Sequence, residues 1–199
     1  MRRYLLIGMG LLALGASRPA LGVVLLTNDQ ALKAVFPDAD KYMTESRALT
    51  DAQLKAVKGQ LGDKWTLYQS GGVKSASEYE SAAIAFQFAS KAGKKTGVAV
   101  VEVQPGKWGP VKYIVAMDLT GKVTGVAVMS YVEQRGKPIA TKRFLSQFNG
   151  KTVKSPITVG KDIDAVSGAT ISSRASAFAV KKAIALYNAV HEAPATGGE

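Results

Sequence analysis

Apolar residues recur at helical spacing from Asn28 to Phe36, where Ala31, Leu32, Val35 and Phe36 share one face behind an Asn-Asp start. Pro37 ends that segment. Thr50 opens a second helix, TDAQLKAVKGQLG, with Gln53 at the capping-box position and Gly62 closing it. Ser70-Gly71-Gly72 reads as a turn. From Ile84 the period changes from helical to two: Ile84, Phe86 and Phe88 alternate with Ala and Gln. Val98 to Val103, Val111 to Met117 and Val123 to Val132 follow, separated by breaks carrying Gly or Pro. Adjacent strands joined by short turns predict an antiparallel meander. A helix is predicted over Ile139 to Phe148, with Phe144, Leu145 and Phe148 on one side. The last helix is predicted from about Ser173 to Val190. Lys181 and Asn188 mark its polar stripe, and Phe178, Ile184 and Leu186 its broad apolar surface. The tail APATGGE reads as loose.

No internal repeat is visible. The order helices, strands, helices predicts an α+β fold, a single domain over about residues 28–191 with an antiparallel sheet flanked by helices. The chain has 199 residues, 47% hydrophobic and 21% charged, which is globular composition. It has no cysteine. That excludes thiol nucleophiles, iron–sulfur ligation, Cys-type zinc sites and CxxCH haem attachment. His191 is the single histidine, which argues against a His-rich metal site or a Ser–His–Asp triad. At the end of the last helix it reads as a partner for the C-terminal dipole.

Residues 1–22, MRRYLLIGMGLLALGASRPALG, read as an address. Arg2 and Arg3 form a positive start, Tyr4 to Leu14 an apolar core, and Ala20-Leu21-Gly22 a small-residue cleavage site. An uncleaved anchor from Tyr4 through Leu26 is the alternative, interrupted by Arg18 and Pro19. The twin arginines leave the Sec and twin-arginine routes both open. The expected location is periplasmic or extracytoplasmic. Cleavage removes three basic residues and no acid, lowering the net charge from +11 to +8. A basic exported protein docks on acidic partners or anionic lipid, or simply presents a solvated basic surface; export makes nucleic acid an unexpected partner.

The stretch that carries chemistry is Asp162 to Arg174, DIDAVSGATISSR. Ser167-Gly168-Ala169-Thr170 is a small-residue turn directly before the last helix. Gly168 permits positive φ, and Ala169 adds almost no bulk. Thr170 therefore presents a hydroxyl at the helix N-terminus, where free amides and the positive dipole end can hold a phosphate, with Ser172 and Ser173 as further donors. The same pattern also serves as an ordinary Ser/Thr cap. No GK[ST] follows and there is no GxGxxG.

Asp164-Ala165-Val166-Ser167-Gly168-Ala169-Thr170 resembles the D-x-x-[ST]-G-A-[TS] flavinylation motif of FMN-binding-domain proteins. Among these are the G subunit of the Rnf electron-transport complex and the C subunit of the sodium-translocating NADH:quinone oxidoreductase. The resemblance runs from Phe86 through Tyr187 and includes Gly106-Lys107-Trp108-Gly109-Pro110 and FLSQFNGK (144–151). Where those two proteins carry E-T-P-G, this chain has Glu133-Gln134-Arg135-Gly136, and it resembles the stand-alone exported branch.

The resemblance implies FMN joined by a phosphoester to Thr170, installed by a separate Mg-dependent flavin transferase outside the cytoplasm. It implies roles at the flavin for Asp164, Ser167, Gly168, Ala169, Glu133, Arg135, Gly136 and Trp108. Arg135 would stabilise the anionic reduced ring or form a surface pair with Glu133, and Trp108 would cover the ring or serve as a packing anchor beside Gly and Pro. Asp164 would orient the turn or be read by the transferase. Lys142 and Arg143 reach toward the phosphate or form a solvated helix face. It divides the chain into a leader (1–22), an N-terminal helical segment (23–82), an FMN-binding domain (83–191) and a tail (192–199). The expected function is electron relay between extracytoplasmic or membrane redox partners, cytochromes among them. The alternative is a reductase acting directly on a soluble acceptor.

Overall fold

The computed structural model describes residues 23–62, 68–69, 72–73, 83–107, 109–132 and 137–191. The leader at 1–22 and the tail at 192–199 lie outside them. In chain order the elements are β1 (Val23–Val24), α1 (Asn28–Val35), β2 (Lys41–Arg47), α2 (Asp51–Leu61), β3 (Tyr68–Gln69), β4 (Gly72–Val73), β5 (Ile84–Lys91), β6 (Lys94–Pro105), β7 (Pro110–Met117) and β8 (Val123–Tyr131). A 3-10 turn (Lys137–Ala140), α3 (Lys142–Leu145), a second 3-10 turn (Ser146–Phe148) and α4 (Thr170–His191) follow. The fold is α+β with an antiparallel meander, as the alternating pattern predicts. Among the described residues no helix is long and apolar enough to cross a membrane.

The sheet order is β2-β5-β6-β7-β8-β1, every pair antiparallel. The short ribbon β3-β4 joins β6 at Val103. Strand side chains alternate between faces. Phe86, Phe88, Val98, Val100, Tyr113, Val115 and Met117 point to one side and pack under α4 and α2. Ala99, Ile114, Ala116 and Met129 point to the other, where Ala31 and Leu32 of α1 cover them. The result is three layers, with the larger core between sheet and α4. Strand β2 is the element the periodicity does not reveal. KYMTESR is mostly exposed and its polar residues carry no alternation, so only pairing with β5, from Lys41↔Ser90 to Arg47↔Ile84, makes it a strand.

Both N-terminal helices carry full capping boxes. Thr50 accepts from Gln53 N–H while the Gln53 side chain accepts from Thr50 N–H. Thr27 and Gln30 do the same for α1, one residue before the predicted start. Gly62 ends α2 at φ +67°. The helix predicted over Ile139 to Phe148 is broken. Thr141 is extended and its hydroxyl accepts from Phe144 N–H, so a new helical piece starts there.

Helix α4 begins at Thr170, three residues earlier than the pattern suggests, and buries most of its surface. Alanines at 175, 177, 179, 183 and 185 let it lie close to the sheet. Asn188, expected on a polar stripe, is buried at 4% exposure and stands against the Gly121 turn. Tyr187 Oη donates to Leu119 O at 3.0 Å. His191 stacks on Tyr187 with ring centroids 4.4 Å apart, meets Phe86 edge-on, and places Nδ1 3.1 Å from Tyr187 O in the last turn. These contacts tie the helix C-terminus to the β7–β8 turn. The N-terminus, Thr170, consequently lies toward the opposite end of the sheet, where β6 turns into β7.

Candidate functional site

The turn before α4 is closed by Ala169 N–H donating to Val166 O at 3.0 Å. Gly168 occupies φ +74°, and a Cβ built there would meet nothing within 4 Å. Backbone conformation, not crowding, is what calls for glycine at this position. Ser167, Gly168 and Thr170 are exposed, while Ala169 is buried. Thr170 thus presents its side chain to solvent on the first residue of a 22-residue helix. The first-turn amides have no intrahelical acceptor. Helices α1 and α2 carry Asp29 and Asp51 in their first turns, but α4 carries no acid there. Its positive end therefore has no carboxylate from its own first turn beside it.

Ser172 and Ser173 do not join this site. Both are buried, at 1% and 0% exposure. Ser173 Oγ accepts from Val166 N–H and donates to Ala169 O, each at 3.0 Å. It locks the turn from inside and has no hydroxyl hydrogen left for a phosphate.

Asp164 is exposed, and its backbone is gripped by Gln147, which accepts from Asp164 N–H at 2.8 Å and donates to its carbonyl. Asp162, two residues earlier, is the loop's organising carboxylate. It accepts from Thr158 N–H at 2.8 Å, Ile157 N–H at 3.1 Å and the Lys151 ammonium at 2.8 Å. Partial burial works against this charge, but the ammonium and the two amides outweigh it and hold the carboxyl below the usual aspartate range. The loop it holds is strained: buried Ile157 sits at φ +45°, a sparsely populated region for a β-branched residue.

Glu133, Arg135, Gly136 and Trp108 lie outside the described residues. Among the described residues, Gly109 and Val132 approach closely: a Cβ on Gly109 would stand 2.9 Å from Val132 Cβ. Ser176 Oγ of α4 lies 3.0 Å from Tyr113 Oη, near the start of β7, so this end of the sheet also supports the N-terminal half of α4. Lys142 and Arg143 are exposed on α3, where they form a solvated face.

Along α4 runs a groove of about 710 Å³, within the range of small-molecule and cofactor pockets. Leu61, Ile157, Val159, Ile171 and Phe178 give it apolar walls, and Gln104, Thr158, Arg174 and Lys181 are the polar side chains in its lining. Beneath it lies a buried ion pair. Lys182 Nζ donates to Glu102 Oε2 at 2.8 Å, and Gln104 Nε2 donates to the same oxygen at 3.3 Å. Burial pushes the Glu102 carboxyl above its ordinary range, with Lys182 and Gln104 pulling against it. These residues escaped the sequence reading, yet a signal exists. In VAVVEVQ, strand alternation puts Glu102 and Gln104 on the same inward face as Val98 and Val100.

An exposed hydroxyl, small flanking residues and a positive helix end without an acid fit a group attached through phosphate. Several known proteins are similar to this chain. Residues 106–185 match the family described as the FMN-binding domain. The G subunit of the ion-translocating oxidoreductase complex of Aliivibrio fischeri strain MJ11 is 38% identical over 122 residues, which covers 55% of this chain and 58% of that protein. Its counterpart in Shewanella baltica is 33% identical over 112 residues, 50% of this chain and 53% of that one. The chain therefore spans little more than half the length of these curated relatives. The crystal structure of NqrC from Shewanella oneidensis covers 78% of this chain and 85% of its own, at 19% identity and a TM-score of 0.47. The span that matches the FMN-binding domain encloses the Gly106–Pro110 turn, the SGAT turn and the first sixteen residues of α4.

Proposed function

We propose that the chain is an exported flavoprotein that carries FMN as a phosphoester on Thr170 and relays electrons between extracytoplasmic or membrane partners. The observation that carries this reading is Thr170 itself: a solvent-facing hydroxyl on the first turn of α4, behind the left-handed Gly168, within the span matched by the FMN-binding family. When bound, FMN accepts two electrons together and can release them singly, which lets it join two-electron donors to one-electron acceptors.

The chain's own residues bind and orient. Small side chains at Gly168 and Ala169 open Thr170 to a modifying enzyme. A threonine hydroxyl is a weak nucleophile, and we assign the base and the Mg ion that activate it to a separate flavin transferase. In the transfer, Thr170 Oγ forms a bond to the flavin phosphorus as the bond to the leaving group breaks. The diester carries one negative charge fewer than free FMN and rests at the positive end of α4. Glu133, Arg135 and Trp108 are assigned to the ring, with Arg135 facing the charge that develops on reduction. Asp164, exposed beside the turn, is assigned to recognition by the transferase. Residues 1–22 are assigned to export, to the periplasm or an equivalent compartment. The donors and acceptors are membrane or extracytoplasmic redox proteins, cytochromes among them.

Co-expression with a flavin transferase, followed by intact-mass and peptide mapping, tests the attachment. The wild type should gain the mass of FMN less water on the peptide containing Thr170. Thr170→Val should gain nothing while unfolding within about 0.5 kcal/mol of wild type, as an exposed position allows. Thr170→Ser should retain the flavin. A bare Thr170 peptide in the presence of active transferase would overturn the reading.

A further inference from the structure

Helix α4 starts in a different way from α1 and α2. Thr27 O and Thr50 O accept from Ala31 N–H and Leu54 N–H, so these threonines are the caps of α1 and α2. Each spends its hydroxyl oxygen on its own first turn. In α4 the equivalent carbonyl belongs to Ala169, which accepts from Ser173 N–H at 2.8 Å. Alanine has no side-chain acceptor and is a poor capping residue. The oxygen that secures this helix start comes from inside the fold, four residues further on. Ser173 Oγ accepts from Val166 N–H and donates to Ala169 O, and the side chain is out of water. Ala169 N–H closes the turn onto Val166 O.

This arrangement keeps the head of α4 clear. Thr170 is exposed, and its hydroxyl makes no hydrogen bond to another described residue. Asp164, at the other end of the motif, is held through its main chain alone, by both ends of the Gln147 amide. The side chains that grip residues 164–169 take hold of backbone groups and leave the side chains of Asp164 and Thr170 outward. We infer that Ser173 is a positioning residue for flavin transfer to Thr170: from the buried side it fixes the main chain of residues 166–169, on which the Thr170 hydroxyl is presented. This inference rests on the threonyl-flavin reading.

The chemistry gives the placement its value. With a flavin dinucleotide as donor, Thr170 Oγ bonds to the FMN phosphorus while the bond from that phosphorus to the bridging oxygen breaks. The electron pair of that bond leaves with AMP, and the hydroxyl proton passes to the base of the transferase. Attack in line with the leaving group asks for a well-placed oxygen, and a misplacement of about 1 Å can cost a hundredfold in rate. Ser173 touches none of the reacting atoms and acts only through the turn it holds.

Two measurements test this. The first needs no flavin: amide exchange on the unmodified chain. Ser173→Ala removes the acceptor of Val166 N–H, and exchange at Val166 should quicken; unchanged exchange overturns the inference whatever the state of Thr170. The second is the initial rate of flavin transfer, read by intact mass with purified transferase, FAD and Mg at varied concentrations of this chain. Ser173→Ala should lower kcat about tenfold and leave KM within about twofold. A variant that is merely less stable offers fewer folded molecules, which raises the apparent KM and spares kcat. Ser173→Cys, of nearly the same volume but with a poor acceptor, is read in the same way where the alanine variant does not fold. A wild-type chain that takes flavin, beside a variant with unchanged kcat, overturns the role of Ser173 alone. A wild-type chain that stays bare overturns the threonyl-flavin reading, and this role with it.

Discussion

Lys182 of α4 and Glu102 of β6 form an ion pair at 2.8 Å with both side chains out of water, at 1% and 4% exposure. The pair sits under the groove and fixes the register of α4 on the sheet. Removing one partner leaves an uncompensated charge, which costs far more than the pair itself contributes. Lys182→Met should destabilise the fold by about 3–5 kcal/mol in urea unfolding. Combining it with Glu102→Gln should recover most of that loss. The sign of the pH dependence follows from the raised Glu102 carboxyl. A folded-state pKa above the unfolded one means that the folded chain holds the proton more tightly. Lys182→Met should therefore lose stability as pH rises from about 4.3, the ordinary glutamate value, through the raised one, and then level off.

Asp162 behaves in the opposite sense. Its carboxyl is held below the usual range, so its contribution is complete above about pH 3.9 and is lost as pH falls through the lowered value. Asp162→Asn should remove that acid dependence and cost about 1–3 kcal/mol, because Ile157 and Thr158 lose a charged acceptor. Amide exchange at Ile157 and Thr158, compared between wild type and variant at neutral pH, checks it. Faster exchange is expected at both.

Gly168→Ala introduces no clash, since the space around the position is open. The cost is conformational alone, about 1–2 kcal/mol for an L-residue held at φ +74°. Thermal unfolding should show that loss. Flavin attachment to Thr170 should fall in parallel, because the strain relaxes by moving the turn.

Gly121→Ala combines the same strain with a collision. The residue is at φ +78°, and its Cβ would stand 2.5 Å from Asn188 Oδ1 and 3.3 Å from Tyr187 Cδ1. A loss of about 2–4 kcal/mol is expected. Adding Asn188→Ala should relieve the collision and leave the backbone strain, so the double variant should recover part of the loss. A double variant no more stable than Gly121→Ala would show that packing against Asn188 is not the source.

The legible features share a cause. Val98, Val100, Tyr113 and Val115 announce their strands because every second residue faces one core. Thr50 and Gln53 announce a helix start because a capping box is made by residues three apart. The SGAT turn is legible for the same reason: Gly168 and Thr170 act through local backbone geometry. Strand β2 is not, because exposed polar residues such as Thr44 and Ser46 become a strand only through β5. Ser172 and Ser173 do not serve as the donors their residue type suggests, because a hydroxyl's burial depends on which face α4 turns to the sheet.

The order of residues was enough to specify the meander, the capped helices, the last helix and the residue at its head that answers to the flavin motif. Each is written in neighbours a few positions apart, where sterics, capping and alternation act. Packing in three dimensions was needed to bring Glu102 to Lys182 across 80 residues, to make Asp162 rather than Asp164 gather the loop, and to set Gln104 beside Glu102 in the wall of a groove. Those outcomes depend on how α4 lies across β6 and β7, and that placement is set by the burial of a whole helix face, to which no short stretch of chain holds the key.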